Sequence, residues 1–122
     1  MKKNFINHTN HPSARWSAEQ ISAAQAYGEI LDVAFPAVNA ATTAEEVRAQ
    51  VQKNLEKILA REPAVVLCQG EFNYTFAMVE CLKASGVKVV AATSERATVE
   101  EILSDGSTRQ ISIFRFVQFK EY

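Results

Sequence analysis

The sequence predicts a three-layer α/β sandwich, Rossmann-like or flavodoxin-like, on a mainly parallel sheet. Three observations predict it. Strand-like and helix-like segments alternate with little chain between them, which favours parallel pairing through right-handed crossovers. Ala64 to Cys68 is wholly apolar and Val87 to Ala92 nearly so, as strands covered on both faces must be. Two S/T-x-x-E/Q boxes mark where covering helices begin.

Each element follows in order. Lys3 to His8 reads as a first strand, closed by the polar loop Thr9-Asn10-His11-Pro12-Ser13. The box Ser17-Ala18-Glu19-Gln20 opens a helix with Ile21 and Ala24 on its apolar side, and Gly28 stops it. Glu29 to Phe35 is a second strand, ended by Pro36. The box Thr43-Ala44-Glu45-Glu46 opens the longest helix, with Val47, Val51, Leu55, Ile58 and Leu59 as its stripe. After the apolar third strand, Gln69-Gly70-Glu71 leads into a helix from about Phe72 to Ser85. In its first turns one side of the alternation Phe72, Tyr74, Phe76 is expected in the core, leaving Tyr74 free. Val87 to Ala92 is the fourth strand, ending at Thr93-Ser94-Glu95-Arg96. Thr98–Leu103 and Arg109–Phe119, joined through Asp105-Gly106, read as a separate hairpin.

The expected sheet order is 2-1-3-4, with the hairpin extending an edge or forming a dimer arm. The whole chain, 1–122, reads as one domain: β-α repeats over 1–96 and a hairpin extension over 97–122.

Composition bounds the partners. With 13 basic and 14 acidic residues the net charge is −1, which excludes a strongly basic surface for duplex nucleic acid. No apolar run approaches the roughly 18–20 residues of a membrane span. Met1-Lys2-Lys3 runs directly into polar residues without a signal-peptide core, so a cytoplasmic location is expected. Cys68 and Cys81 lie in apolar segments and are expected reduced and buried. Dinucleotide-binding Gly-x-Gly-x-x-Gly, a Walker-type loop, a nucleophile elbow and a paired redox Cys motif are all missing, and no cofactor or metal is expected.

In an open doubly wound sheet ligands bind beyond the strands' carboxyl ends, where the strand order reverses. The polar residues concentrate there. After strand one come Asn7, His8, Thr9, Asn10, His11 and Ser13, with Arg15 and Trp16 just beyond. Gln69, Gly70 and Glu71 follow strand three and lead to a helix whose free amides suit an anion. Thr93, Ser94, Glu95 and Arg96 follow strand four. The histidines His8 and His11 are the acid–base candidates. Asn10, Ser13, Gln69, Gly70, Glu71, Thr93, Ser94 and Arg96 are the ligand-binding candidates. Glu71 reads as a helix cap or a ribose contact, Arg96 as a salt-bridge or phosphate partner, and Trp16 as a hydrophobic staple or a base platform.

Taken together, Asn7-His8-Thr9-Asn10-His11-Pro12, Trp16-Ser17-x-x-Gln20, Gln69-Gly70-Glu71, Ala92-Thr93-Ser94-Glu95-Arg96 and the ending Phe114-Arg115-Phe116-Val117-Gln118-Phe119-Lys120-Glu121-Tyr122 carry a resemblance. The chain resembles small CRISPR-associated proteins of type III loci, Rossmann-like relatives of the CARF sensor domains grouped with the ring nucleases. Phe116 stands where such proteins often carry a histidine, so that residue's role does not transfer. The resemblance implies a CARF-like sandwich that binds cyclic oligoadenylate, cyclic tetra-adenylate foremost, and cleaves it without a metal. It also implies a homodimer, whose twofold axis matches the ring's symmetry. The alternatives are a non-catalytic sponge or sensor of the same ligand, and an unrelated small nucleotide-phosphate binder.

Overall fold

In the computed structural model, which describes residues 3–122, β1 (Asn4–His8) is buried at all five positions. Met1 and Lys2, the first residues of the stretch read as lacking a signal-peptide core, lie outside the described residues. β1 pairs in parallel with β2 (Glu29–Asp32) on one side and β3 (Pro63–Cys68) on the other. β3 pairs in parallel with β4 (Lys88–Ile102), which pairs antiparallel with β5 (Thr108–Glu121). The result is a mixed α/β fold: a five-stranded, mostly parallel sheet in the order β2-β1-β3-β4-β5. Among the described residues no helix is long and apolar enough to cross a membrane.

The sheet differs from the expected one in its last members. The fourth strand and the first arm of the expected hairpin are one continuous strand, so the set is five strands and not four plus a separate hairpin. β3 accompanies β4 only across Lys88–Val90, whereas β5 accompanies it from Val90 to Ile102. Past a bulge at Thr93/Ser94 the pair runs on as a two-stranded ribbon. β2 is also shorter than expected, ending at Asp32 and not at Phe35.

Alternation along the strands feeds a core on each face. Ile6, Val66 and Val89 join α2 (Ala44–Leu59) and α3 (Phe72–Ala84) through Val47, Val51, Ile58, Met78 and Leu82. Phe5, Val65, Leu67 and Val90 face the other way, onto Ala24 of α1 (Ala18–Gln25), with Trp16 and Phe119 at the margin. The helix starts lie where the boxes put them. The Ser17 hydroxyl accepts the Gln20 amide; the Thr43 hydroxyl accepts the Glu46 amide, and the Glu46 carboxylate accepts the Thr43 amide in return. Both cysteines are free; Cys68 is buried as expected, but Cys81 is only half-buried. Burial pushes the Cys68 thiol up to about 12, so it is an inert core group.

The aromatic alternation in α3 reverses the expectation. Tyr74 is fully buried, while Phe72 and Phe76 are 89% and 67% exposed. At helical spacing Tyr74 shares its face with Met78 and Leu82, the two deepest apolar residues of the helix.

Candidate functional site

A crevice of about 840 Å³ opens over the carboxyl ends of β1, β3 and β4 on the α1 side of the sheet. Leu67 and Ala92 line it from the sheet, with Gln69, Gly70 and Ser94 just beyond the parallel-paired segments of β3 and β4. Thr9, Asn10, His11 and Pro12 form the β1 side, Arg15 to Gln20 the α1 side, and Ile113 to Phe116 of β5 the far wall. Such a volume lies within the range of roughly 300–1,000 Å³ typical of small-molecule sites.

The loop carrying His11 is held from below by Asn7, a side chain only 2% exposed. Its Nδ2 donates to the His11 carbonyl at 2.9 Å and to Asp32 Oδ1 at 3.1 Å, while its Oδ1 accepts the Thr9 hydroxyl at 2.8 Å. Asp32 Oδ2 in turn accepts the Ser13 amide at 3.2 Å. The Trp16 indole N–H donates to the His11 carbonyl at 3.1 Å and its ring meets Phe5 edge-on. These bonds fix the His11 backbone and the Trp16 ring against the sheet.

The charge in the crevice is mainly cationic. Arg15 and Arg115 line it, and neither pairs with a carboxylate among the described residues; Glu19 is the one acidic lining residue. Trp16, Phe114 and Phe116 also line the crevice and bring aromatic surface to it. Arg96, expected as a phosphate or salt-bridge partner, does not line the crevice; it lies directly opposite Phe114 in the β4–β5 ladder, with its guanidinium 5.4 Å from the centre of the Phe114 ring. The arrangement suits a ligand that combines anionic oxygens with aromatic rings.

A family model matches residues 3–120. The chain belongs to the uncharacterized protein MJ1673 family. Neither the curated proteins nor the solved structures gave a match.

Of the residues singled out in the sequence, the MJ1673-family structure gathers Asn10, His11, Gln69, Gly70 and Ser94 in one crevice. His8 is placed elsewhere: its side chain is fully buried on the α2/α3 side of the sheet, with both ring nitrogens bonded. Burial lowers its pKa, and the bond to the Val33 carbonyl opposes that shift only in part. A group sealed in this way has no path to a ligand, so His8, one of the two acid–base candidates, is turned inward from its strand end. Ser13 is bound through its amide and does not line the crevice. The Thr93 hydroxyl donates to the Gln118 carbonyl across the ribbon.

Glu71 is the cap of α3. Its Oε1 accepts the Tyr74 amide at 2.8 Å and Oε2 the Asn73 side chain at 3.1 Å; the Tyr74 N–H is the main reason its pKa is lowered. That carboxylate occupies the helix N-terminus, so the amides expected to hold an anion already face a negative charge. Glu71 also borders a separate hollow of about 410 Å³ on the other side of the sheet. Gly70 serves packing: a Cβ there would stand 2.2 Å from the Phe35 ring. Arg115, Glu19, Phe114 and Phe116 were missed as site residues because their ribbon and helix reach the crevice only through the tertiary fold. The alternation of Phe114-Arg115-Phe116 was the available signal.

Proposed function

We propose that this Rossmann-like, CARF-like domain binds cyclic oligoadenylate in the strand-end crevice and cleaves it without a metal. The observation that supports this best is the presence in one cavity of two arginines, Arg15 and Arg115, without a carboxylate partner among the described residues, and of the aromatic surfaces of Trp16, Phe114 and Phe116. Guanidinium groups match phosphate oxygens bidentately, and aromatic side chains stack on bases.

The reaction asks little of the protein beyond position. A ribose 2′-oxygen bonds to the adjacent phosphorus as the bond from phosphorus to the 5′-oxygen breaks. The hydroxyl proton passes to a base, and the departing 5′-oxygen takes one up. The product is a linear oligoadenylate with a 2′,3′-cyclic phosphate at one end and a 5′-hydroxyl at the other. Arg15 and Arg115 would offset the charge gathering on the phosphate, and His11 is the acid or base. Alignment of the attacking oxygen supplies much of the acceleration.

A homodimer goes with this reading. The ribbon's Phe114 and Ile102 are 73% and 77% exposed, large apolar surface for a single chain to leave in water. Light scattering would return twice the chain mass, and a monomer at all concentrations would count against it.

The test is direct. Purified protein is incubated with cyclic tetra- and hexa-adenylate, with and without EDTA, and the products are separated by chromatography. Cleavage that survives EDTA, falls about 10²–10⁴-fold in His11→Ala and leaves binding within about tenfold supports the enzyme. Tight binding with an intact ring over hours gives the sponge reading instead. One observation favours that second reading: with His8 sealed in the core, the crevice holds a single imidazole.

A further inference from the structure

β3 and β4 part company in the middle of the sheet. Their pairing covers Val65–Leu67 against Lys88–Val90; β3 then ends at Cys68, and the chain turns away towards α3 while β4 continues. The Ala92 amide is thus directed at space that a longer β3 would have filled. The Gln69 side chain fills it. Its Oε1 accepts the Ala92 N–H at 2.6 Å, replacing the ladder bond that the departing strand no longer makes.

This bond decides which way round the amide lies. A backbone N–H can be met only by the oxygen of the carboxamide, so Nε2 and its two hydrogens must take the other side. Gln69 is half-buried and lines the crevice, and its Nε2 has no hydrogen-bond partner among the described residues. The cavity around it carries Arg15 and Arg115 against one carboxylate, Glu19. A donor locked by the sheet, in a site of positive charge, is suited to an acceptor that brings negative charge.

We propose that Gln69 is a fixed hydrogen-bond donor to a phosphate oxygen of the ligand, and so a specificity-determining residue of the crevice. This rests on the reading of the crevice as a site for a phosphodiester ligand. The rigid placement separates its role from that of the arginines. A guanidinium on a long side chain follows a phosphate wherever it lies, whereas an amide pinned to Ala92 accepts only one register of the phosphate along the strand ends.

The experiment compares wild type with Gln69→Glu, using cyclic tetra-adenylate and inorganic phosphate as separate probes. Glutamate keeps an oxygen for the Ala92 N–H, removes both donors and adds a negative charge, so the response of the Gln69 NH2 pair in the unmodified protein, and not the fall alone, assigns the donor. The variant's affinity for each probe is expected to fall by about tenfold to a hundredfold, with the thermal midpoint nearly unchanged. A measurement on the unmodified protein guards against misfolding of the variant. The Gln69 side-chain NH2 pair, identified as the resonance missing from the variant's nitrogen–proton spectrum, should shift when either probe is added. Affinity within about threefold of wild type for both probes, or an NH2 pair that stays still while neighbouring amides move, overturns the assignment. Phosphate binding that Gln69→Glu abolishes, with the cyclic nucleotide ignored, keeps the donor and removes the nucleotide reading. Wild type that binds neither probe removes both.

Discussion

His8 Nε2 lies 2.6 Å from the Tyr74 hydroxyl, joining the end of β1 to the first turn of α3. The other ring nitrogen, Nδ1, is 2.8 Å from the Val33 carbonyl, which can only accept. Nδ1 therefore carries the proton, and Nε2 accepts from Tyr74. The same hydroxyl accepts from Asn54 Nδ2 at 3.0 Å, so α2 is drawn into the network. Every member is buried, which makes the network costly to break and dependent on a neutral imidazole.

Acid should therefore loosen the fold through His8. Its pKa in the folded chain lies below the ordinary 6.5, so the unfolded chain binds the proton more readily. Stability from this group is fully present above about pH 6.5 and declines as pH falls below that value. Thermal midpoints measured from pH 8 down to about pH 5 should drop for wild type, and the slope should flatten in His8→Gln. An equal slope in both proteins would assign the effect to carboxylates.

Tyr74→Phe should destabilise the protein although it keeps the ring. It leaves His8 Nε2 and Asn54 Nδ2 unmet in the core, at a cost of about 1–3 kcal/mol for each group. Phe76→Ser, on the exposed side of the same helix, should change stability by no more than about 0.5 kcal/mol. Denaturant titration of the two variants reads the contrast.

In the crevice, Arg15→Ala and Arg115→Ala should each weaken cyclic tetra-adenylate binding by about 1.5–3 kcal/mol, the range for hydrogen bonds to charged groups. Lys53→Ala and Lys57→Ala, on the exposed side of α2, should leave it unchanged. Calorimetric titration distinguishes a built site from a diffuse positive surface, for which all four losses would be alike.

Gly70→Ala places a methyl group where the Phe35 ring already lies. Overpacking of this kind typically costs about 1–3 kcal/mol. Phe35→Ala in the same chain should recover part of that loss, because the two residues compete for one space. A double-mutant cycle in urea measures the coupling, and strict additivity would refute the contact.

The elements with local signals were legible. Ser17 and Thr43 announce their helices because a capping box is a matter of four consecutive residues; both hydroxyls cap as read, and the reciprocal half of the box is made at Thr43. The apolar run of β3 likewise specifies a strand covered on two faces. The continuous β4 was not legible, because Thr93-Ser94-Glu95-Arg96 has the composition of a loop. A ribbon beyond the sheet has solvent on both sides, so polar residues are no obstacle to a strand there. Nor was the fate of His8 and Tyr74. Each is ordinary alone, and what buries them is a partner 66 residues away. In the crevice, the loops after β1 and β3 were readable from the strand-end rule, whereas Arg115 comes from a strand that folds back from the ribbon.

Because β1 sits between β2 and β3, it is made before either neighbour, and its second neighbour is complete only at Cys68. Until then Phe5 and Ile6 have one short strand for company and an open edge capable of pairing with another chain. Vectorial synthesis thus leaves a window of some 60 residues in which the nascent chain is most exposed to aggregation, and slower elongation across that window would lengthen it. A chaperone that shields this stretch would act before the crevice has a floor.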